Sequence, residues 1–471
     1  MKFMAILLGL MIGLGTGLSP ALAITPEDQE EIRSELDRWR LFWGIPELTV
    51  MIAEDVGAPV MIRSGADAGP GEDLWLGEIS HSLTALGVLR LSGQGIVDTA
   101  AGYREYVPWI RVEPDSGRDR QLSVDHLLGH RSGLSFRTLP WPGEDQGATA
   151  SLVALRWGRF LADPGERFMP FEMNYGLLAL MIQEVSREEY GAWMDREVFS
   201  PLGMNNTTVM TGGGELDGHI SLFGWPVPHL ETLPPWRQYS AGIKASPTDV
   251  GRYLSALSGG EKISPEERSR LFSRPRGSRD GYGTGWYLEG ARGTQAFQKG
   301  SFQGAWTGIR VEPEDSLAVL VSGPMNHILY SPVVYPLLMD SLMRQLEGKS
   351  VFPWYLGGIV WKLAAILPLL WLVRMVRVFL GVPERVREHR YSSRTPLILE
   401  MLLRLIPLPV ILVAVPGFIR YGLGIPLSAG ALWAAAPDLW ATGLLVILMN
   451  LLVSGRILIR LLDRPARVYR I

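Results

Sequence analysis

The residues whose side chains are best placed to take part in a reaction lie at the start of an apolar helix pattern in residues 74–91. A short strand-like run turns at Gly77, and Glu78 and His81 follow it, three residues apart. The start of a helix presents unpaired backbone N–H groups and the positive end of the helix dipole, which stabilise developing negative charge. The stretch therefore has the form of a catalytic helix, with a carboxylate and an imidazole at its first turn.

The element that must position these two side chains is a core helix. Apolar residues at helical spacing, from Ile79 to Leu89, make it apolar on nearly every face, and Gly93 ends it. Upstream, Thr25 is placed to cap a charged amphipathic helix over residues 27–43. Short β-like runs alternate with such helices as far as about residue 348, without an internal repeat.

Composition excludes several classes of function. The 471 residues carry a net charge of −3, which gives no basic patch for nucleic acid. The chain has no cysteine, so disulfides, thiol nucleophiles and cysteine-based metal sites are excluded.

One pair of histidines has a spacing that could suit a metal. His126 and His130 would share one helix face, but no third metal ligand is spaced near them. We therefore expect neither a metal site nor a cofactor.

Several segments resemble a known family in the same order. Residues 74–91 resemble the Gly-Ser-x-Ser-Lys-x-x-Thr-Ala segment of serine β-lactamases of class C type, penicillin-binding DD-peptidases and related esterases. Further counterparts are found in residues 122–134 (LSVDHLLGHRSGL), 164–168 (PGERF), 174–186, 199–207, 240–254 and 282–286. The resemblance implies an α+β fold, in which helices flank an antiparallel sheet and a helical subdomain completes the domain. It also makes His126 and His130 structural positions.

The first motif of this family is altered at both reactive positions. The nucleophilic serine falls on Glu78 and the lysine three residues later falls on His81. A shifted register restores neither group, since no Ser-x-x-Lys occurs anywhere in the chain. A glutamate is a poor acyl nucleophile because the mixed anhydride that it would form is unstable.

The second motif, a Tyr-Ser-Asn triplet, falls on Pro170-Phe171-Glu172. Proline has no ionisable group and no backbone donor. A slip of two residues gives Glu172-Met173-Asn174, which also lacks a tyrosine, and Tyr175 fits a structural aromatic of the family.

The third motif resembles an edge strand that reads His-Ser-Gly-Ser in the family, with Gln298 in place of the histidine and Gly300 and Ser301 kept. Strand alternation places Gln298 and Gly300 on one face and Lys299 on the other, although a slip of one residue would present Lys299. In the family, the backbone N–H beside this strand completes the oxyanion hole.

Three functions are compatible with this pattern. The expected one is a catalytically inactive, penicillin-binding-protein-like domain of the cell envelope that binds a peptidoglycan-related ligand or an envelope protein. An acid–base or cation-dependent enzyme would use Glu78, His81 and Glu172 if they meet in one pocket. An active serine hydrolase would need residues recruited from elsewhere. The residues expected to contact a ligand are Glu78, His81, Glu172, Gln298, Gly300 and Ser301.

The two ends of the chain are apolar. Residues 1–23 combine Lys2, an apolar stretch and an Ala-Leu-Ala cleavage pattern, which predicts a signal peptide. Residues 24–348 would then form the exported domain and residues 349–471 a membrane domain. Spans are expected at residues 354–373, 396–419 and 439–455, with Glu400 and Arg404 paired in the second.

Arginines predict the orientation of these spans in a bilayer. Six lie between the first two spans, five follow the third, and only Arg420 lies between the second and third. Positive residues face the cytoplasm, so the large domain should lie outside a bacterial cytoplasmic membrane, in the periplasm or at the cell exterior.

Overall fold

A six-stranded antiparallel sheet lies at the centre of residues 24–348. The computed structural model describes residues 24–462 except for 55–56, 66–72, 114–115, 139–146, 211–213, 275–280, 290–294, 330, 365, 389–394 and 418–435. The predicted signal peptide therefore lies outside the described residues. Six further strands form two small sheets of three strands each.

The strands of the three sheets are short. They are β1 (Glu47–Glu54), β2 (Val60–Gly65), β3 (Leu74–Trp75), β4 (Thr207–Val209), β5 (Glu215–Leu222), β6 (Trp225–Thr232), β7 (Ile243–Ala245), β8 (Tyr287–Glu289), β9 (Gln295–Ser301), β10 (Trp306–Glu312), β11 (Leu317–Gly323) and β12 (Met325–Asn326). In the main sheet the strands follow the order β2-β1-β11-β10-β9-β8, and the two small sheets have the orders β12-β5-β6 and β3-β7-β4.

Helices cover both faces of the main sheet, form the subdomain beside it and make up the apolar segments near the end of the chain. They are α1 (Pro26–Trp43), α2 (Ser80–Gly93), α3 (Tyr103–Tyr106), α4 (Val124–Leu128), α5 (Ala148–Val153), α6 (Met173–Ser186), α7 (Tyr190–Met194), α8 (Ser200–Leu202), α9 (Gln238–Ala241), α10 (Pro247–Ser258), α11 (Pro265–Leu271), α12 (Ser331–Leu346), α13 (Gly357–Ala364), α14 (Ile366–Glu388), α15 (Thr395–Leu405) and α16 (Pro437–Leu462).

The buried core has a layer on each side of the sheet. Helices α1 and α12 pack on one face, where Leu36 and Leu338 join Val50 in one apolar cluster. Helices α2, α6 and α10 lie on the other face, with Leu83 and Leu320 in the larger cluster. The predicted α+β fold is confirmed, and α2 is buried on nearly every side, as its apolar sequence indicated.

Among the described residues, three helical segments are long and apolar enough to cross a membrane. They are Trp354–Val386, Thr395–Ala414 and Pro437–Leu462. The first continues well beyond residue 373, so Arg374, Arg377 and Arg385 lie on helix α14 instead of in the expected loop. Arg390, Arg394, Arg420 and the arginines of the tail beyond residue 462 lie outside the described residues.

The predicted Glu400–Arg404 pair is present and belongs to a larger network. Glu400 accepts hydrogen bonds from Arg404 at 2.7 Å and from Arg385 on the preceding span at 2.8 Å. Arg404 also donates to Asn450 of the third span at 3.2 Å. The polar side chains therefore join all three spans to one another, which is the usual way for such groups to be satisfied inside a bundle.

Candidate functional site

The site is built where the turn before α2 meets strand β9. Gly77 begins a 3₁₀ turn, Gly77–Ile79, with φ of +53°, and a β-carbon there would lie 2.7 Å from the Cα of Gly300. A β-carbon on Gly300 would lie 2.0 Å from the carbonyl oxygen of Leu76. Only glycine at both positions permits this approach, which brings Glu78 against the backbone of β9.

Strand β9 exposes its backbone only over its second half. The sequence predicts that β9 is an edge strand. Its first half is covered, because strand β8 pairs with Gln295, Ala296 and Phe297 and forms the edge of the sheet there. Residues 298–301 extend past β8 towards the Gly77–Ile79 turn. This leaves the backbone N–H of Ser301 to face the site.

Glu78 uses that N–H group itself. The N–H of Ser301 donates a hydrogen bond of 2.9 Å to Oε2 of Glu78. In the related enzymes, as the resemblance implies, this donor would polarise the carbonyl of a substrate. Here an oxygen of the Glu78 carboxylate accepts this hydrogen bond, so it occupies the place where a substrate oxygen would bind.

Arg237 holds the other end of the same carboxylate. Its Nη2 lies 3.3 Å from Oε1 of Glu78, and its Nε donates to Oε1 of Glu172 at 2.8 Å. Ser240 also contacts Glu172, at 3.3 Å, and the guanidinium lies 5.0 Å from the ring centre of Phe302. One arginine therefore links the positions that correspond to the first and second motifs.

Burial and charge together set the ionisation of this cluster. Burial raises the pKa of Glu172; Arg237 opposes that rise and Glu78 adds to it. Burial also raises the pKa of Glu231, with Arg237 opposing again. Burial disfavours the charge of Arg237, but Glu172 and Glu78 outweigh it and raise the arginine pKa above its ordinary value. The arginine stays charged because carboxylates surround it.

The cation of this cluster is the guanidinium group. It occupies the space between Glu78 and Glu172 where the cation-dependent hypothesis would place a metal ion. Over the part of the chain that the structure describes, no group of three or more histidines, aspartates and glutamates is arranged to hold a metal.

His81 packs among aromatic side chains. Its ring is 3% exposed and stacks on Tyr175, with ring centres 4.0 Å apart and planes 10° apart. Burial lowers the pKa of His81 well below its ordinary value, and His130 and Arg237 lower it further. Its Nε2 has no hydrogen-bond partner among the described residues. The structure thus brings together Glu78 and Glu172 but places the imidazole in an aromatic pocket.

The remaining predicted positions have structural surroundings. Pro170 is exposed and precedes the buried Phe171. Gln298 is 1% exposed, and its Nε2 donates to the carbonyl of Gly285 at 2.8 Å while its Oε1 accepts from the N–H of Lys299. Both polar ends of the glutamine are therefore used inside the protein.

Arg237 is the site residue that sequence reasoning missed. It belongs to a short 3₁₀ turn, Pro235–Arg237, immediately before α9. The one available signal was its place just ahead of residues 240–254, a segment that matches the family pattern. The bond from Arg237 to Glu78 joins residues 159 positions apart, so local periodicity does not reveal it.

Comparison with known proteins identifies the same family that the sequence motifs resemble. A family model described as Beta-lactamase matches residues 79–326. Penicillin-binding protein 4* of Bacillus subtilis is 28% identical over 264 residues, which are 50% of this chain and 55% of that protein. Protein flp of Staphylococcus aureus is 21% identical over 333 residues, 64% of each chain. The chain therefore spans between about half and two thirds of the length of these relatives.

A solved structure shows the same fold at low identity. The D-amino acid amidase of Ochrobactrum anthropi is 19% identical, with a TM-score of 0.57, and the match covers 69% of this chain and all of the amidase. At this level of identity the likeness describes the fold and leaves the activity open.

Proposed function

Because the chain belongs to the β-lactamase family, we propose that it is a membrane-anchored member that has lost acyl-transfer chemistry and binds a ligand or partner at the cell envelope. The observation that supports this most is the 2.9 Å hydrogen bond from the Ser301 N–H to Glu78. The carboxylate stands where the family has its nucleophile and also occupies the donor that would receive the substrate oxygen.

The other groups around the site support the same proposal. Acyl transfer needs a nucleophile, a base within reach of it and a free donor for the oxyanion. Glu78 is paired with Arg237, and His81 stacks on Tyr175 without a partner for its Nε2 among the described residues. None of these contacts delivers a proton acceptor to a hydroxyl group.

Turnover measurements separate this proposal from acid–base catalysis by the carboxylates. The purified full chain should hydrolyse neither a chromogenic cephalosporin nor a p-nitrophenyl ester faster than its Glu78→Ala variant does. A rate that falls with Glu78→Ala and with Glu172→Gln would instead favour the acid–base enzyme. Glu30→Gln, on a side chain that is 78% exposed, controls for the loss of a carboxylate elsewhere.

The ligand in this proposal is a component of the envelope, either a peptidoglycan-related molecule or a protein. This is supported by the family match and by the similarity to penicillin-binding protein 4* of Bacillus subtilis, whose name describes penicillin binding. Pull-down of isolated peptidoglycan by the full chain reconstituted in nanodiscs tests the first possibility. Retention equal to that of empty nanodiscs would leave the protein partner as the remaining form of the proposal.

We place the large domain outside the cytoplasm, on the basis of the predicted signal peptide and the arginine asymmetry. An alkaline phosphatase fusion after Gly348 should be active, a fusion after Arg394 silent, and a fusion after Leu427 active again. Activity at Arg394 together with silence at Gly348 would reverse the orientation. Expression of each fusion, checked by immunoblot, is the control.

A further inference from the structure

The hairpin formed by β5 and β6 carries an exposed apolar surface. Residues 221–228, SLFGWPVP, contain no charged side chain. Trp225 is 54% exposed, Val227 37% and Leu230 53%. Strand β6 is the outer strand of its sheet, and Pro226 and Pro228 remove backbone donors that a further strand would need. The surface is therefore apolar but poorly suited to strand addition.

The tip of this hairpin contacts the membrane helices. Phe223 and Gly224 both have left-handed φ values, +52° and +82°, and form its two-residue turn. The N–H of Phe223 donates to Oδ2 of Asp438 at 3.1 Å. Gly224 lies so close to the first span that a β-carbon would be 3.1 Å from Cγ of Lys362.

A buried polar pair fixes this junction. Oδ1 of Asp438 lies 2.9 Å from Nε2 of His327, with the two side chains 1% and 0% exposed. The Leu329 N–H donates to Nδ1 of the same ring, so the proton on Nε2 faces the carboxylate. His327 follows β12, which pairs with β5, so the hairpin sheet and the third span are held together.

The junction also fixes the depth of the hairpin. Asp438 is the second residue of the span Pro437–Leu462. The first span has 33 residues, about 50 Å of helix, against about 30 Å for the hydrocarbon core of a bilayer. Lys362, eight residues after its start, therefore lies near the boundary of that core. The hairpin tip touches both helices at this level.

We propose that the β5–β6 hairpin lies in the headgroup region of the bilayer that anchors the chain, with Trp225 and Val227 against lipid. Tryptophan favours this interface because its ring is apolar while its N–H remains hydrated. The apolar surface is continuous with two spans, which identifies lipid as its partner. The inference rests on the proposed membrane anchoring.

This placement also sets the height of the site. Along strand β6, Glu231 lies six residues after Trp225, a distance of about 20 Å. At that end, Glu231 accepts a hydrogen bond of 2.5 Å from the N–H of Gln303, two residues after Ser301. The site would therefore open at most about 20 Å above the level of Trp225, within reach of ligands held close to the membrane.

Site-directed spin labelling tests the proposal, and the absence of cysteine makes each label unique. Full-length Trp225→Cys and Val227→Cys variants, in liposomes of phosphatidylglycerol and phosphatidylethanolamine, would carry a nitroxide label. Its collision rates with lipid-soluble oxygen and with water-soluble nickel chelate are then measured. Trp157→Cys, 62% exposed on the helical subdomain, serves as the aqueous reference, and Leu448→Cys, 53% exposed in the third span, as the lipid reference.

We expect the oxygen-to-nickel ratio at positions 225 and 227 to lie well above that at position 157. A ratio equal to that of Trp157→Cys, with Leu448→Cys in lipid, overturns the hairpin proposal alone. A label shielded from both reagents would indicate protein cover and also overturns it. If Leu448→Cys itself reports water, membrane anchoring fails. Val227→Cys repeats the test if Trp225→Cys does not fold.

Discussion

Replacement of Arg237 by methionine should lower the free energy of unfolding by roughly 3–5 kcal/mol, the usual cost of breaking a buried ion pair. Methionine keeps most of the side-chain volume but leaves Glu78 and Glu172 without their shared cation. Both the lost charge and the lost hydrogen bonds act in the same direction. Chemical denaturation of the full chain in detergent, followed by tryptophan fluorescence, measures the change.

The loss of stability caused by Arg237→Met should depend on pH. Burial raises the pKa of Glu172 and Arg237 opposes that rise, so the variant should have a still higher pKa. An acid with a raised pKa in the folded state adds stability that is present at low pH and is lost as pH rises through that pKa. The destabilisation by Arg237→Met should therefore be larger at about pH 8 than at about pH 5.

An exposed ion pair provides the control for this experiment. Arg196 pairs with Glu188 at 2.8 Å, with both side chains more than 40% exposed. Arg196→Met should cost less than about 1 kcal/mol at either pH. Equal effects of the two substitutions would show that Arg237 does not organise the site.

Restoring the family residues should recover acylation only when several are changed together. Where nucleophile and base act as a unit, losing one of them costs on the order of 10⁶ in rate. Glu78→Ser alone would free the Ser301 N–H but would still lack a base, so its rate of labelling by fluorescent penicillin should stay at background. His81→Lys adds an amine, although in the place of a ring that now stacks on Tyr175.

We expect weak but measurable labelling only after Pro170→Tyr and Gln298→His are added to those two changes. The tyrosine would supply the missing proton relay, and the histidine would replace a glutamine whose polar atoms bond within the protein. The matched control combines the other three changes with Glu78→Ala, which supplies no hydroxyl group. Strong labelling of the single Glu78→Ser variant would show that a working base is already present near position 78.

Much of the scaffold follows from local sequence signals. Thr25 caps α1 as its hydroxyl and the following Pro26 predicted, and the apolar run after Gly77 forms a buried helix. Burial alternates along β9, so Gln298 and Gly300 lie on the buried face and Lys299 is half-buried. These features depend on neighbours within a few residues, which a pattern in the sequence captures.

The features that sequence reasoning missed depend on distant contacts. Arg237 meets Glu78 and Glu172 only after three separate segments fold together. The His327–Asp438 pair links positions 111 residues apart across the membrane junction. The helix of the first apolar segment also continues past residue 373 along arginines, whose long side chains suit an exposed helix surface.

The intact mass of the unmodified full chain after incubation with benzylpenicillin tests the loss of acyl-transfer chemistry most directly. We expect an unchanged mass at any time and with excess antibiotic, because position 78 is a glutamate and the Ser301 N–H already donates to it. A stoichiometric increase equal to one penicilloyl group would contradict the account. The modified residue, located by peptide mapping, would then identify the nucleophile.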